Sequence, residues 1–237
     1  MSGHSKWATI KHQKGINDAR RGQLFSKLAR AITIAARIGG PNPDANLKLR
    51  LAMDKAKEAN MPKDNVVRAV EKGSGAGGGD LEEVMYEGYG LYGVAILVEA
   101  TTDNRNRTTQ EIKNIFDKAG GSLSAPGSVV FQFEQKGLIK IDTDTDNDEK
   151  MLKIMEIEDV DDVSEFKSGI EVYTKPHDLM RIKDQIEFLG IAVFLAEFIF
   201  KSKTPLEIDD DKIDRIIKLI TILDEHDDIQ KEYTNLK

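Results

Sequence analysis

At 237 residues, with 40% hydrophobic and 32% charged side chains, the chain is long enough for two or three domains and too apolar for a disordered polymer. The lack of cysteine excludes disulfides, thiolate metal sites and cysteine nucleophiles, and no run of about 18 apolar residues marks a membrane span. Residues 1–80 carry 15 Lys/Arg against 7 Asp/Glu, a net of +8 in a chain whose total is −7, so residues 81–237 carry −15.

The N-terminus has lysines but no apolar core behind them, so it is no secretory signal, and a cytoplasmic protein is expected. A basic module on an acidic body predicts a polyanionic partner for the basic end. Within residues 1–38 the cations Lys6, Lys11, Lys14, Arg20, Arg21, Lys27, Arg30 and Arg37 face one acid, Asp18. Met1 to Gly22 has no clean periodicity and reads as an arm that orders on binding. Its His4, Trp7 and His12 are suited to stacking on unpaired bases.

From Gln23 to Ile38 the pattern is helical. Turning 100° per residue from Lys27, the residues Leu24, Leu28, Ala31, Ile32, Ala35 and Ile38 fall on one flank, and Lys27, Arg30 and Arg37 on the next. Gly39-Gly40 end this helix, and Pro41 and Pro43 prevent its resumption. A second helix is expected over Ala45–Ala59 with Asp44 near its cap, and a third from Asp64 to Lys72 with Gly73 as the stop. Gly73–Asp80 contains G-x-G-x-x-G, but a helix precedes it and an extended segment follows, so it reads as a linker and domain boundary.

Beyond the linker, Val84–Gly90 and Val94–Ala100 read as strands and Thr108–Ala119 as a helix. The scheme recurs with strands at Val129–Phe133 and Leu138–Ile141, an acidic loop, a helix near Glu149–Glu156 and an extended Val163–Thr174. A helix at Asp178–Leu189 and strand Ile191–Phe200 follow, then extended Pro205–Ile208, helix Asp210–Leu223 and a last strand, Ile229–Thr234. Hairpin then helix, twice, is an α+β pattern of split β-α-β character.

Two further features carry chemistry. Thr101–Thr109 (TTDNRNRTT) joins strand to helix, and its hydroxyls, helix N-terminus and Arg105 and Arg107 either favour a phosphate or form an ordinary capped turn. Asp142–Asp148 opens like a calcium loop but has Asn147 at position six and Lys153 at position twelve, so no metal is expected. The four histidines are scattered and no nucleophile motif occurs, so no catalytic residue, cofactor or small-molecule substrate is expected.

GHSKW at Gly3–Trp7, IKHQKG at Ile10–Gly15, the helix FSKLARAITIAAR and LRLAMDKAKEANMPKDNVVRAVEKG at Leu49–Gly73 resemble the YebC/PmpR family. So do YEGYG at Tyr86–Gly90, TDNRNRT at Thr102–Thr108, AGG at Ala119–Gly121 and GSVVFQF at Gly127–Phe133. The resemblance implies a helical N-terminal domain (1–76) and two related, ferredoxin-like α/β domains, the third (129–204) inserted in the second (81–128 plus 205–237). It implies a cytoplasmic transcriptional regulator that binds DNA, or a translation factor on ribosomal RNA, without catalysis. The family's hairpin usually reads EGYGPGG, whereas Leu91-Tyr92 stand here in place of Pro-Gly.

The expected nucleic-acid contacts are Lys6, Trp7, Lys11, His12, Lys14, Arg20, Arg21, Lys27, Arg30, Arg37, Arg105 and Arg107. A basic patch without an obvious reading helix leans towards shape-and-charge binding of structured RNA. The competing readings are a protein-interaction adaptor and, least favoured, an enzyme on the α+β domains.

Overall fold

The structure is a computed structural model that describes residues 18–75, 81–142, 147–166 and 169–237. Lys6, Trp7, Lys11, His12 and Lys14 lie outside the described residues, as do the side chain of Arg20 and most of the linker and acidic loop. Two compact units form, one from Glu134–Lys201 and one from the sequence on either side of it. The inserted unit's ends lie inside the 129–204 read from the sequence, and the N-terminal helices share a unit with the first sheet.

Three helices open the larger unit: α1 (Asp18–Gly39), α2 (Leu47–Glu58) and α3 (Lys63–Ser74). Helix α1 ends where Gly40 takes the left-handed φ of 86°, as a C-terminal glycine does. The cap of α2 is Asn46 rather than Asp44. Its Oδ1 accepts from the Leu49 amide at 3.1 Å, while its Nδ2 donates to the carbonyls of Ala35 and Gly40, both at 2.8 Å. One buried amide therefore starts α2 and ties it to the end of α1. Leu28, Ile32, Ala35, Leu49, Ala56, Met61 and Ala69 make the shared core.

Gly73 does not stop α3 but lies within it, buried against α1. A Cβ there would sit 2.3 Å from the Thr33 carbonyl oxygen and 2.9 Å from the Ala36 methyl. Thr33 completes the crossing by donating to the Ala69 carbonyl at 3.1 Å. Gly73→Ala is therefore expected to lose about 1–3 kcal/mol by overpacking, although alanine is the better helix former; chemical denaturation measures the difference.

The first sheet has the order β3-β1-β2-β8, with β1 Glu82–Tyr89, β2 Ala95–Thr102, β3 Ser122–Ser124 and β8 Ile229–Thr234, all pairs antiparallel. The late strand thus returns to pair with β2. Helices α4 (Arg105–Lys118) and α7 (Asp210–Asp224) bring Ile112, Phe116, Ile216, Leu219 and Leu223 onto Val84, Tyr86, Ile96 and Val98. On the opposite face Leu97 is also fully buried, and α1 lies against β2 and β8. That explains why Val94–Val98 is a continuous apolar run instead of an alternating one. In the β1–β2 turn Tyr92 has φ 61°, a left-handed conformation that suits glycine better than tyrosine.

Val129–Phe133 is not a strand. Val130–Gln132 forms a 3₁₀ turn gathered around the buried carboxylate of Glu87. Glu87 accepts from the amides of Gly127 and Val129 at 2.6 Å and of Val130 at 2.8 Å. Burial alone would raise this carboxyl, and the three amides outweigh it and hold it below the ordinary value.

The inserted unit has the sheet order β5-β6-β4-β7, from β4 Phe133–Asp142, β5 Val160–Phe166, β6 Gly169–Thr174 and β7 Leu195–Ser202. The expected single extended segment at 163–174 is a hairpin. Helices α5 (Asn147–Met155) and α6 (Leu179–Phe188) supply Ile154, Leu179, Ile182 and Ile186 to a core with Ile139, Ile141, Ile170 and Val172.

Candidate nucleic-acid interface

Helix α1 is buried along two stripes. Leu28, Ile32 and Ala35 face the helical core, as the periodicity predicts. The cationic flank faces inward as well. Ile34 sits among Lys27, Arg30 and Arg37 on that flank and is only 4% exposed, whereas Ile38, expected inside, is 61% exposed.

What Lys27 and Arg30 meet is the acidic loop between α7 and β8. Lys27 is buried, and its Nζ donates to the Asp224 carbonyl, with the Asp224 carboxylate 3.8 Å away. Arg30 donates to the Asp227 carbonyl at 3.0 Å and is ion-paired with the buried carboxylate of Asp228. Gln23 donates to the Glu225 carbonyl.

Asp228 is also what the TTDNRNRTT stretch binds. Asn104 caps α4 through the Arg107 amide at 3.1 Å. This places the Arg107 Nη2 and the Thr108 hydroxyl each 2.6 Å from Asp228 Oδ2. Thr102 supports Thr108 at 2.7 Å between hydroxyl oxygens. The anion that these donors suggested is thus supplied by the chain itself, as a carboxylate. Burial would push the Asp228 carboxyl up, but Thr108, Arg107 and Arg30 overcome it and bring it down to about 2.

Glu111, His226 and Asp228 bring their donor atoms within 4.8 Å of one another, a spacing that a metal ion could use. The donor chemistry is wrong for one. His226 Nδ1 accepts the Asp228 amide at 3.1 Å, so Nε2 carries the proton and faces Glu111 at 3.0 Å. Two guanidinium groups also stand against Asp228 and would repel a cation. The cluster is an ion-pair network.

Three expected contact residues, Lys27, Arg30 and Arg107, are therefore engaged within the protein. Arg37 is exposed and donates to the Leu81 carbonyl at 3.1 Å. Arg21 is exposed, its guanidinium 5.6 Å from the Phe25 ring, and Arg105 is exposed with no side-chain ion pair among the described residues. Asp228 and Glu87 were missed as organising residues. The available signal for Asp228 was its place directly before the apolar Ile229, which draws it into the sheet edge.

Residues 5–76 match the family model described as TACO1/YebC protein N-terminal domain, and residues 81–236 match TACO1/YebC second and third domain. The chain belongs to the TACO1/YebC family. This YebC-family chain is 44% identical over 239 residues to a "Probable transcriptional regulatory protein" of Pelotomaculum thermopropionicum, covering 99% of the chain and 98% of the relative. A relative of the same description from Aquifex aeolicus is 45% identical over 100% of the chain and 96% of its own length. The crystal structure of a conserved hypothetical protein from Aquifex aeolicus superposes with a TM-score of 0.90 at 44% identity, covering 98% and 96% of the two chains. The mixed helix-and-sheet architecture is thus the one that a YebC-family sequence adopts.

Proposed function

We propose that this YebC-family protein is a non-enzymatic, cytoplasmic, nucleic-acid-binding regulator of gene expression, of the transcriptional-regulator type named in its relatives. The observation that carries this reading is the segregation of charge, +8 over residues 1–80 and −15 over the remainder. Phosphate contacts come from the arm (Lys6, Lys11, Lys14, with Trp7 and His12 stacking) and from Arg20, Arg21, Arg37 and Arg105. The cluster at Asp228 is saturated by its own partners and has a structural role.

A ribosome-associated factor that binds ribosomal RNA is the second reading. It is favoured by α1, whose cationic flank is packed inside instead of being presented to a groove. Phosphate-led, shape-dependent binding follows from an arm and scattered arginines.

Reversing Lys27 and Arg30 would set glutamates against Asp224 and Asp228, so such a variant reports on folding. The clean test changes Lys6, Lys11 and Lys14 to glutamate. Affinity for duplex DNA is measured across a salt titration, alongside cosedimentation with ribosomes. Loss of three phosphate contacts should lower the salt slope by roughly 2–3 and affinity by tenfold or more. Unchanged affinity and slope for both targets would sink the reading. Loss on ribosomes alone selects the RNA target.

A further inference from the structure

The inserted unit carries a surface that the nucleic-acid reading does not use. Helix α6 buries Leu179, Ile182 and Ile186, and its opposite face turns Phe188 outward with 92% of its area exposed. Leu189 beside it is 45% exposed. A shallow groove of about 600 Å³ lies between the end of α5 (Asn147–Met155) and α6, with Ile157, Phe188 and Leu189 in its lining. Phe188 and Leu189, both exposed and both lining the groove, form an adjacent apolar pair of the kind that marks a docking site.

Charge identifies the occupant. The cations at the groove are already paired, Lys153 with Glu149 at 2.7 Å and Arg181 with Asp159 at 2.7 Å and Asp178 at 2.9 Å. The exposed carboxylates of Glu156, Glu158 and Asp184 have no ion-pair partner among the described residues. Residues 134–201 hold 17 Asp/Glu against 9 Lys/Arg, a net of −8. Such a unit repels a phosphate backbone. It also repels a second copy, because a two-fold pairing would set the same acidic rim against itself.

We propose that the α5–α6 groove docks a basic, amphipathic protein segment, with apolar anchors on Phe188 and Leu189 and lysines or arginines on Glu156, Glu158 and Asp184. The seating is that of a helix in a groove, read through anchors at i, i+3, i+4 and i+7. The inference goes beyond the nucleic-acid reading and stands independently of it.

The test uses the full chain and a labelled synthetic helix of leucine and lysine with leucines at those spacings. Two controls accompany it: the same peptide with serine for leucine, and with glutamate for lysine. Fluorescence anisotropy should show binding of the leucine–lysine peptide and at least tenfold weaker binding of both controls. Phe188→Ser, which leaves charge and core unchanged, should weaken binding about tenfold without altering the melting temperature. Glu156→Gln with Asp184→Asn should weaken it and reduce its salt dependence. Equal binding of the glutamate peptide, or a Phe188→Ser protein that binds as well as the parent, overturns the proposal. So does sedimentation showing a dimer that Phe188→Ser dissolves, or single-stranded RNA whose binding Phe188→Ser abolishes.

Discussion

Asp228→Asn is expected to lose about 2–3 kcal/mol of folding stability at neutral pH, the worth of a buried carboxylate whose arginine partners are partly exposed. The substitution keeps shape and removes the charge that Arg30 and Arg107 share, although Arg107 retains Asp103 at 3.1 Å and Glu111 at 3.8 Å. Urea denaturation measures the loss. In a double-mutant cycle, Arg30→Met should cost less in the Asp228→Asn background than in the parent, because the interaction it removes is already gone. Acid titration gives a second readout. A carboxyl held at about 2 when folded, against an ordinary 3.8, binds fewer protons in the folded than in the unfolded chain. Its contribution, roughly 2–3 kcal/mol, is full above about pH 4 and is lost as pH falls towards 2. Asp228→Asn should flatten that part of the stability profile. If the parent and the variant lose stability in parallel over this window, Asp228 is not the group responsible.

Glu87→Leu is the second large effect, about 3–5 kcal/mol. The leucine suits a buried position, but it leaves the Gly127, Val129 and Val130 amides without an acceptor, each at about 1–3 kcal/mol. Glu87→Gln keeps one oxygen and should fall between parent and leucine. Hydrogen exchange locates the damage: the Val129 and Val130 amides should lose protection before those of β1 and β2. A uniform loss across the sheet would show that Glu87 acts on the fold as a whole and not on this turn.

The elements were legible because their periodicities are strong and their ends carry glycine and proline. The run Gln23–Ile38 announced a helix, and Ile229–Thr234 a strand with the bounds it has. What periodicity could not convey was the second neighbour of α1. A single helical wheel assigns one flank to the core and leaves the other to water, and by that logic Lys27 and Arg30 were solvated. Ile34, lying among those cations, was the contrary evidence, since an isoleucine there is costly unless something covers it. The TTDNRNRTT stretch was legible as either an anion site or a capped turn, and the structure has both the Asn104 cap and, as the anion, Asp228. Asp228 lies 121 positions beyond Arg107, and no local pattern links them. Gly73 misled for a different reason: glycine ends helices and also lets helices touch, and only the Thr33 carbonyl beside it distinguishes the two.

The pairing of β8 with β2 bears on how the protein is made. Strand β2 ends at Thr102 and its partner begins at Ile229, so during synthesis one edge of β2 waits while the whole inserted unit leaves the ribosome. Residues 224–235 bring several contacts that close the larger unit. Asn235 accepts from the Ala95 amide at 2.9 Å, Asp228 receives Arg30 and Arg107, and Asp224 receives Lys27. A chain truncated before Asp224 loses these contacts, so the clasp between α1 and the β2–β8 edge forms only after the inserted unit has been made.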